Sequence, residues 1–143
     1  MSAEKLYTTE MLSAAMELAQ YPVLEHADLH GTARSDNCGS SLDLYIVLDQ
    51  QERFEQIGMR VHACAVGQAA AAIFARHAKG ASSAQLAKVY DEFVAWLGSD
   101  APPPDWPDLS LIAPARAYRG RHGAMLLPWR AASKALSSAP ASG

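Results

Sequence analysis

The stretch "SLDLYIVLDQQERFEQIGMRVHA", Ser41 to Ala63, decides the fold. Leu42, Leu44, Ile46 and Leu48 alternate with Asp43, Tyr45 and Val47, the period-two pattern of a strand with one buried face. The polar QQER turns the chain, and Ile57, Met59 and Val61 resume the alternation. Two alternating runs joined by a short polar connection make an antiparallel pair. Upstream, residues 27–35 (ADLHGTARS) read as a weaker strand with Gly31 as a bulge. The spacing therefore predicts a three-stranded antiparallel meander.

Helical patterns flank this sheet. Thr8 and Thr9 can cap a first helix with Leu12, Ala15, Met16 and Ala19 on one face, ended by Pro22. At Cys64 the period changes: "CAVGQAAAAIFARHAKG" is Ala-rich, and Gly80 supplies a stop. Its small residues 69–72 allow close approach to the sheet. Ser82 and Gln85 form a capping-box pair for a helix with Leu86, Val89, Tyr90, Phe93 and Leu97 on its apolar stripe, closed by Gly98. The Pro-rich "SDAPPPDWPD" is a connection within the domain, and "GAMLLPWRAASKAL" begins as a turn and continues as a helix with Pro128 near its first turn. Trp96, Trp106 and Trp129 are expected to serve packing. The order αβββααα predicts an α+β fold, a three-stranded antiparallel sheet with helices packed on one face. Residues 1–143 read as one domain, with 136–143 as a disordered tail.

Half of the residues are apolar and 19% are charged, the composition of a folded rather than a disordered chain. No apolar run approaches the roughly 20 residues of a membrane span, and "MSAEKLYTTE" has no export-type apolar segment. With only two cysteines, a reducing, cytoplasmic setting is expected. The net charge of −3 conceals an asymmetry. Residues 1–112 hold seven Lys and Arg and all fifteen acids, whereas Arg116, Arg119, Arg121, Arg130 and Lys134 follow without a single acid. Such a basic third is either a solvated helix face with a tail or a surface for an acidic partner. No aromatic interleaving or phosphate-binding glycine loop accompanies it, so nucleic acid is not expected as a partner.

Cys38 sits in the turn before the second strand, and Cys64 where the third strand becomes a helix. A helix N-terminus offers unpaired N–H groups and a positive dipole that favour an anionic sulfur. The loop before strand two and the end of strand three share one end of an antiparallel pair, so the two sulfurs are expected within about 10 Å of each other, as in a metal site or redox pair. The alternative is that both thiols are small buried hydrophobes. Among the histidines, His26, His30 and His77 read as surface or core residues. His62, two residues before Cys64, and His122, in the turn before the last helix, are the two that can join the thiols around a metal. A Cys–His nucleophile is conceivable from these residue types, with no evident orienting Asn or Asp.

Three stretches together resemble the IscU/SufU/NifU N-terminal family of iron–sulfur cluster assembly scaffolds, the SufU-like and NifU-like members most. "NCGSSLDLYIVLD" looks like the family's first ligand loop, Cys-Gly-Asp followed by an alternating strand. "IGMRVHACAVGQAAAAIFARHAKG" looks like the second, a strand, a ligand cysteine and a helix of small residues ending in Lys-Gly. "RHGAMLLPWRAASKAL" looks like the third, where a ligand cysteine leads into a C-terminal helix with a tryptophan. The resemblance implies a non-enzymatic scaffold that carries a transient iron–sulfur cluster or zinc, with a cysteine desulfurase or another assembly protein as partner. Cys38 and Cys64 match its first two ligand cysteines; Ser40 stands at its aspartate and Ala124 at its third cysteine. The ligand set implied is Cys38 and Cys64, with His122 the nearest further donor. Four thiolates are reached if a homodimer pools two from each chain. The alternatives implied are a degenerate, metal-free member acting as a binding module for a cysteine desulfurase or other assembly partner, and a SufU-like zinc-dependent sulfur acceptor, which the missing third cysteine disfavours.

Overall fold

The computed structural model describes residues 7–35 and 39–137. Its elements run α1 (Thr9–Met16), a 3₁₀ turn (Glu17–Gln20), β1 (Leu29–Arg34), β2 (Ser41–Leu48), β3 (Phe54–His62), α2 (Ala65–Ala78) and α3 (Ser83–Gly98). Three 3₁₀ turns (Leu109–Leu111, Ala113–Ala117, Arg119–Arg121) then lead into α4 (His122–Ser137). The strands form an antiparallel sheet in the order β1-β2-β3, with Ile46 opposite Leu29 on one side and Ile57 on the other. Leu42, Leu44 and Ile46 point to the helices and are fully buried, as their alternation requires. This is the expected α+β architecture, with the helices on one face. α4 covers β1 and β2, α2 lies between α1 and α4 and meets the sheet at β3, and α3 packs outside α4.

Gly31 is not a bulge. The β1–β2 register runs unbroken from Leu29↔Ile46 to Arg34↔Ser41, and the one irregularity falls between Val47 and Leu48. Glycine is needed at 31 because α4 crosses β1 there: a Cβ would stand 2.2 Å from the Ala131 carbonyl oxygen and 2.5 Å from the Ala135 nitrogen. Sequence pattern shows a glycine in a strand but not the helix lying on it.

The first helix buries a different face from the one expected. Thr8 caps it through Met11 N–H, and Met11 and Ala14 are buried, whereas Leu12 and Met16 are 49% and 80% exposed. The helix packs on α2 through the face of Met11 and Ala14, one residue and so about 100° around from that of Leu12 and Met16, and it tightens into the 3₁₀ turn before reaching Ala19. The last helix also departs from expectation. It starts at His122, so Pro128 lies in its interior and leaves the Ala124 carbonyl without its intrahelical donor. Leu136 and Ser137 are its final residues, inside the span expected as tail.

The Pro-rich connection is packed. Trp106 is buried, donates its indole N–H to the Ile73 carbonyl at 2.9 Å and stacks on Phe74. Trp129 meets Phe74, Phe93 and Trp106, which makes the tryptophans the packing residues they were expected to be.

An ionic latch holds the same region. Arg76 at the end of α2 donates to Glu17 at 2.7 Å and to Asp108 at 3.1 Å, and His77 bonds Asp108 at 2.7 Å. The Arg76 bond holds the Glu17 carboxyl below its ordinary value; the His77 bond, then that of Arg76, does the same for Asp108. Both groups are easier to ionise folded than unfolded, so their stabilisation is complete above the usual carboxylate range and is lost as pH falls through the depressed folded values. Acidification is therefore expected to loosen α1 and the Asp108 turn before the sheet. Hydrogen exchange of α1 amides at neutral and acid pH will show it, and Arg76→Gln should remove most of the pH dependence. An α1 that stays equally protected in acid would mean the latch contributes nothing.

Candidate functional site

Three chain segments meet at one end of the sheet. The β2–β3 register ends with Ser41 opposite His62, and Arg34 lies opposite Ser41 on the other side. Residues 35, 39 and 40, which flank β1 and β2, and the β3–α2 junction therefore lie side by side at this sheet end. The loop's base is closed by Ser35 N–H donating to the Ser40 carbonyl at 2.8 Å and Gly39 N–H to the Ser35 carbonyl at 3.1 Å. Gly39 has φ of +68°, the left-handed conformation that glycine adopts without strain. Ser35 and Ser40 are both buried, 3% exposed each.

The third segment is the start of α4. A Cβ on Gly123 would lie 2.5 Å from the Ser35 hydroxyl, so that glycine lets the helix begin against the loop base. Ala124 is fully buried beside Gly67 of α2, its Cβ 3.5 Å from where a Gly67 side chain would begin. Gly67 in turn follows Cys64 by three residues, one turn along the same helix face.

Cys64 is the N-cap of α2 and is half-buried. Its side chain makes no capping hydrogen bond, so the thiol stands at the positive helix end without being committed to it. The backbone around it is fixed: Gln68 N–H donates to the Cys64 carbonyl at 2.9 Å, and the Gln68 side-chain amide to the Ala63 carbonyl at 2.8 Å. Cys38 lies outside the described residues, so the expected sulfur–sulfur separation is not on view; its flanks Ser35 and Gly39 lie at this same sheet end.

The two candidate histidines go to other places. His62 ends β3 on the exposed face opposite Ser41. His122 is the first residue of α4 and donates through Nε2 to the Arg116 carbonyl at 2.6 Å, lining a groove with Leu97 and Arg119. Among the described residues no three His, Cys, Asp or Glu side chains gather as a metal cluster. The described part of the site thus supplies one thiol, two buried hydroxyls and a buried methyl at 124. Zinc or an iron–sulfur edge takes four thiolate, imidazole or carboxylate donors. These residues alone do not fit such a group.

Sequence reasoning missed Ser35, Gly67 and Gly123, which bring the three segments together. Their signal was present only as small residues beside the cysteines and at the turn into the last helix.

No protein-family model matches the chain, and no curated protein matches it. Solved structures do. A nitrogen-fixing NifU-like protein (N-terminal) from Brucella abortus superposes with a TM-score of 0.86 at 26% identity, covering 96% of both chains. A putative iron–sulfur cluster assembly scaffold protein for the SUF system from the thermophilic Fervidobacterium islandicum AW-1 superposes with a TM-score of 0.77 at 18% identity, covering 94% of this chain and 98% of the other. A hypothetical protein follows with a TM-score of 0.64 at 16% identity, covering 90% and 97%. At such identities the last two show the fold alone.

Proposed function

We propose that this chain, which belongs by structure to the NifU/SufU/IscU family, is a scaffold-type protein of iron–sulfur cluster assembly that holds iron, a cluster or zinc through Cys38 and Cys64. The observation that carries the reading is the convergence of Ser35, Gly39 and Ser40, the Cys64 N-cap and the start of α4 at one sheet end. The metal or cluster is cargo, and the protein's part is to present thiolates and exclude competing ligands. No step of this role requires catalysis by the chain itself. A cytoplasmic setting and a cysteine desulfurase or other assembly protein as partner go with it. No described helix is long and apolar enough to cross a membrane.

Counting donors shapes the proposal. Cys64 and Cys38 give two thiolates per chain, so a stable four-donor shell needs help. A second copy would add two more. His122 could add an imidazole through Nδ1, or through Nε2 after giving up its bond to the Arg116 carbonyl, which costs about 1 kcal/mol.

A specific observation supports a second reading. Ala124 is packed with no exposed surface at the position where the family resemblance puts a cysteine. A metal-free binding module for a desulfurase or other assembly partner would need nothing else there. Metal and acid-labile sulfide analysis of protein purified without oxygen, with its mass in solution, separates the two. The scaffold reading expects metal at less than one per chain, rising with dimer formation and lost in Cys64→Ser. Protein that takes up neither metal nor sulfide, even when iron and sulfide are supplied, would leave only the binding module.

A further inference from the structure

The basic third of the chain is mostly occupied within the fold. Arg116 donates from Nε to the Trp96 carbonyl at 3.0 Å and from a terminal nitrogen to the Ser99 carbonyl at 2.7 Å, and its guanidinium lies 5.2 Å from the centre of the Trp96 ring. Arg121 reaches the Tyr7 hydroxyl, and Arg130 the Arg34 carbonyl. The bonds of Arg116 and Arg130 hold the chain in place but neutralise no charge, because backbone carbonyls are uncharged acceptors. Neither Arg116 nor Arg119 is in an ion pair among the described residues.

Arg116 and Arg119 share one groove of about 470 Å³, whose walls include Leu97, Pro114 and His122. No acid lines it, and none occurs from Leu109 to Ser137. We propose that this groove docks an acidic segment of a partner protein, with Arg119 as the exposed contact and Arg116 as a fixed positive wall.

Two features of the molecule select that occupant. Arg116 is held by two carbonyls and a ring face, so its charge is pre-organised and binding loses little side-chain freedom there. The rest of the chain is acidic, fifteen Asp and Glu against seven Lys and Arg before residue 113. A long polyanion such as RNA would run from the groove onto repelling surface. A short run of carboxylates fits within the positive patch, and the apolar walls at Leu97 and Pro114 accept the stems of glutamates. The proposal does not rest on metal binding: failure of either leaves the other intact.

A fluorescently labelled hexaglutamate peptide, titrated with the full chain at low salt and read by anisotropy, tests it. Arg119→Glu should weaken binding about tenfold, as expected for reversing a groove charge. Lys134→Glu, the same change of net charge on the exposed side of α4, should weaken it less than about twofold. Arg119→Lys should keep most of the affinity, and circular dichroism will confirm that all three variants fold. Equal losses for Arg119→Glu and Lys134→Glu would reduce the effect to net charge and overturn the proposal. So would inorganic phosphate competing as well as the peptide, a single-stranded RNA binding more tightly, or no saturable binding by the wild type.

Discussion

Gly31→Ala is expected to destabilise the protein by about 3 kcal/mol, the upper end of overpacking costs, and to lower its melting temperature by about 10 °C. The added methyl would start 2.2 Å from the Ala131 carbonyl oxygen and 2.8 Å from the Ala135 Cβ. The first is backbone inside α4, which cannot rotate aside as a side chain can. Either α4 lifts from β1 or the strand bows, and both open the core over Leu44 and Ala33, which are fully buried. Gly120→Ala is the control: its Cβ would meet nothing within 4 Å, so it should change stability by under about 0.5 kcal/mol. Thermal melts of the two variants decide it. A Gly31→Ala protein melting within roughly 2 °C of wild type would mean that α4 is not seated on β1 as described.

The fold was legible where periodicity alone determines it. β2 and β3 alternate because one face is buried against helices, and both begin and end close to the expected residues. The helix after Cys64 was legible from its alanines and its Lys79-Gly80 end, with Gly80 in the left-handed region at φ +87°. Long-range approach was not legible. Gly31 reads as a bulge until α4 is laid across it, and Leu12 and Met16 read as core until α2 is laid on the neighbouring face of Met11 and Ala14. At the candidate site, Cys64 was readable from the switch of period, and the structure adds its role as N-cap. His122 could be placed near the last helix, but a hydrogen bond to the Arg116 carbonyl six residues back is a matter of turn geometry that no spacing rule supplies. The basic cluster was readable as charge, whereas its use of carbonyls at the end of α3 to hold Arg116 was not.

Ala124→Cys is expected to raise zinc affinity on the order of a hundredfold, since a third thiolate joins a donor set that is otherwise short. Position 124 is fully buried at the start of α4, against the turn of α2 that begins at Cys64. The missing side chain of Gly67 marks the space that a sulfur at 124 would have to use: a Cβ there would stand 3.5 Å from that of Ala124 and 2.7 Å from that of Ala63. The space therefore borders both position 124 and the residue before Cys64. If the sulfur works by completing that shell, Ala124→Cys combined with Cys64→Ser must fall back to the wild-type affinity. Ala124→Cys combined with Gly67→Ala must lose most of the gain, because the methyl occupies the space the sulfur needs. Titration against a competing chelator measures all three proteins, with melts to confirm folding. An affinity unchanged by Ala124→Cys would place the limit at Ser40, a neutral hydroxyl buried where the family resemblance puts a carboxylate, or in the loop that carries Cys38. A gain that survives Cys64→Ser would mean zinc is held elsewhere, and the three-segment site would not be the metal centre.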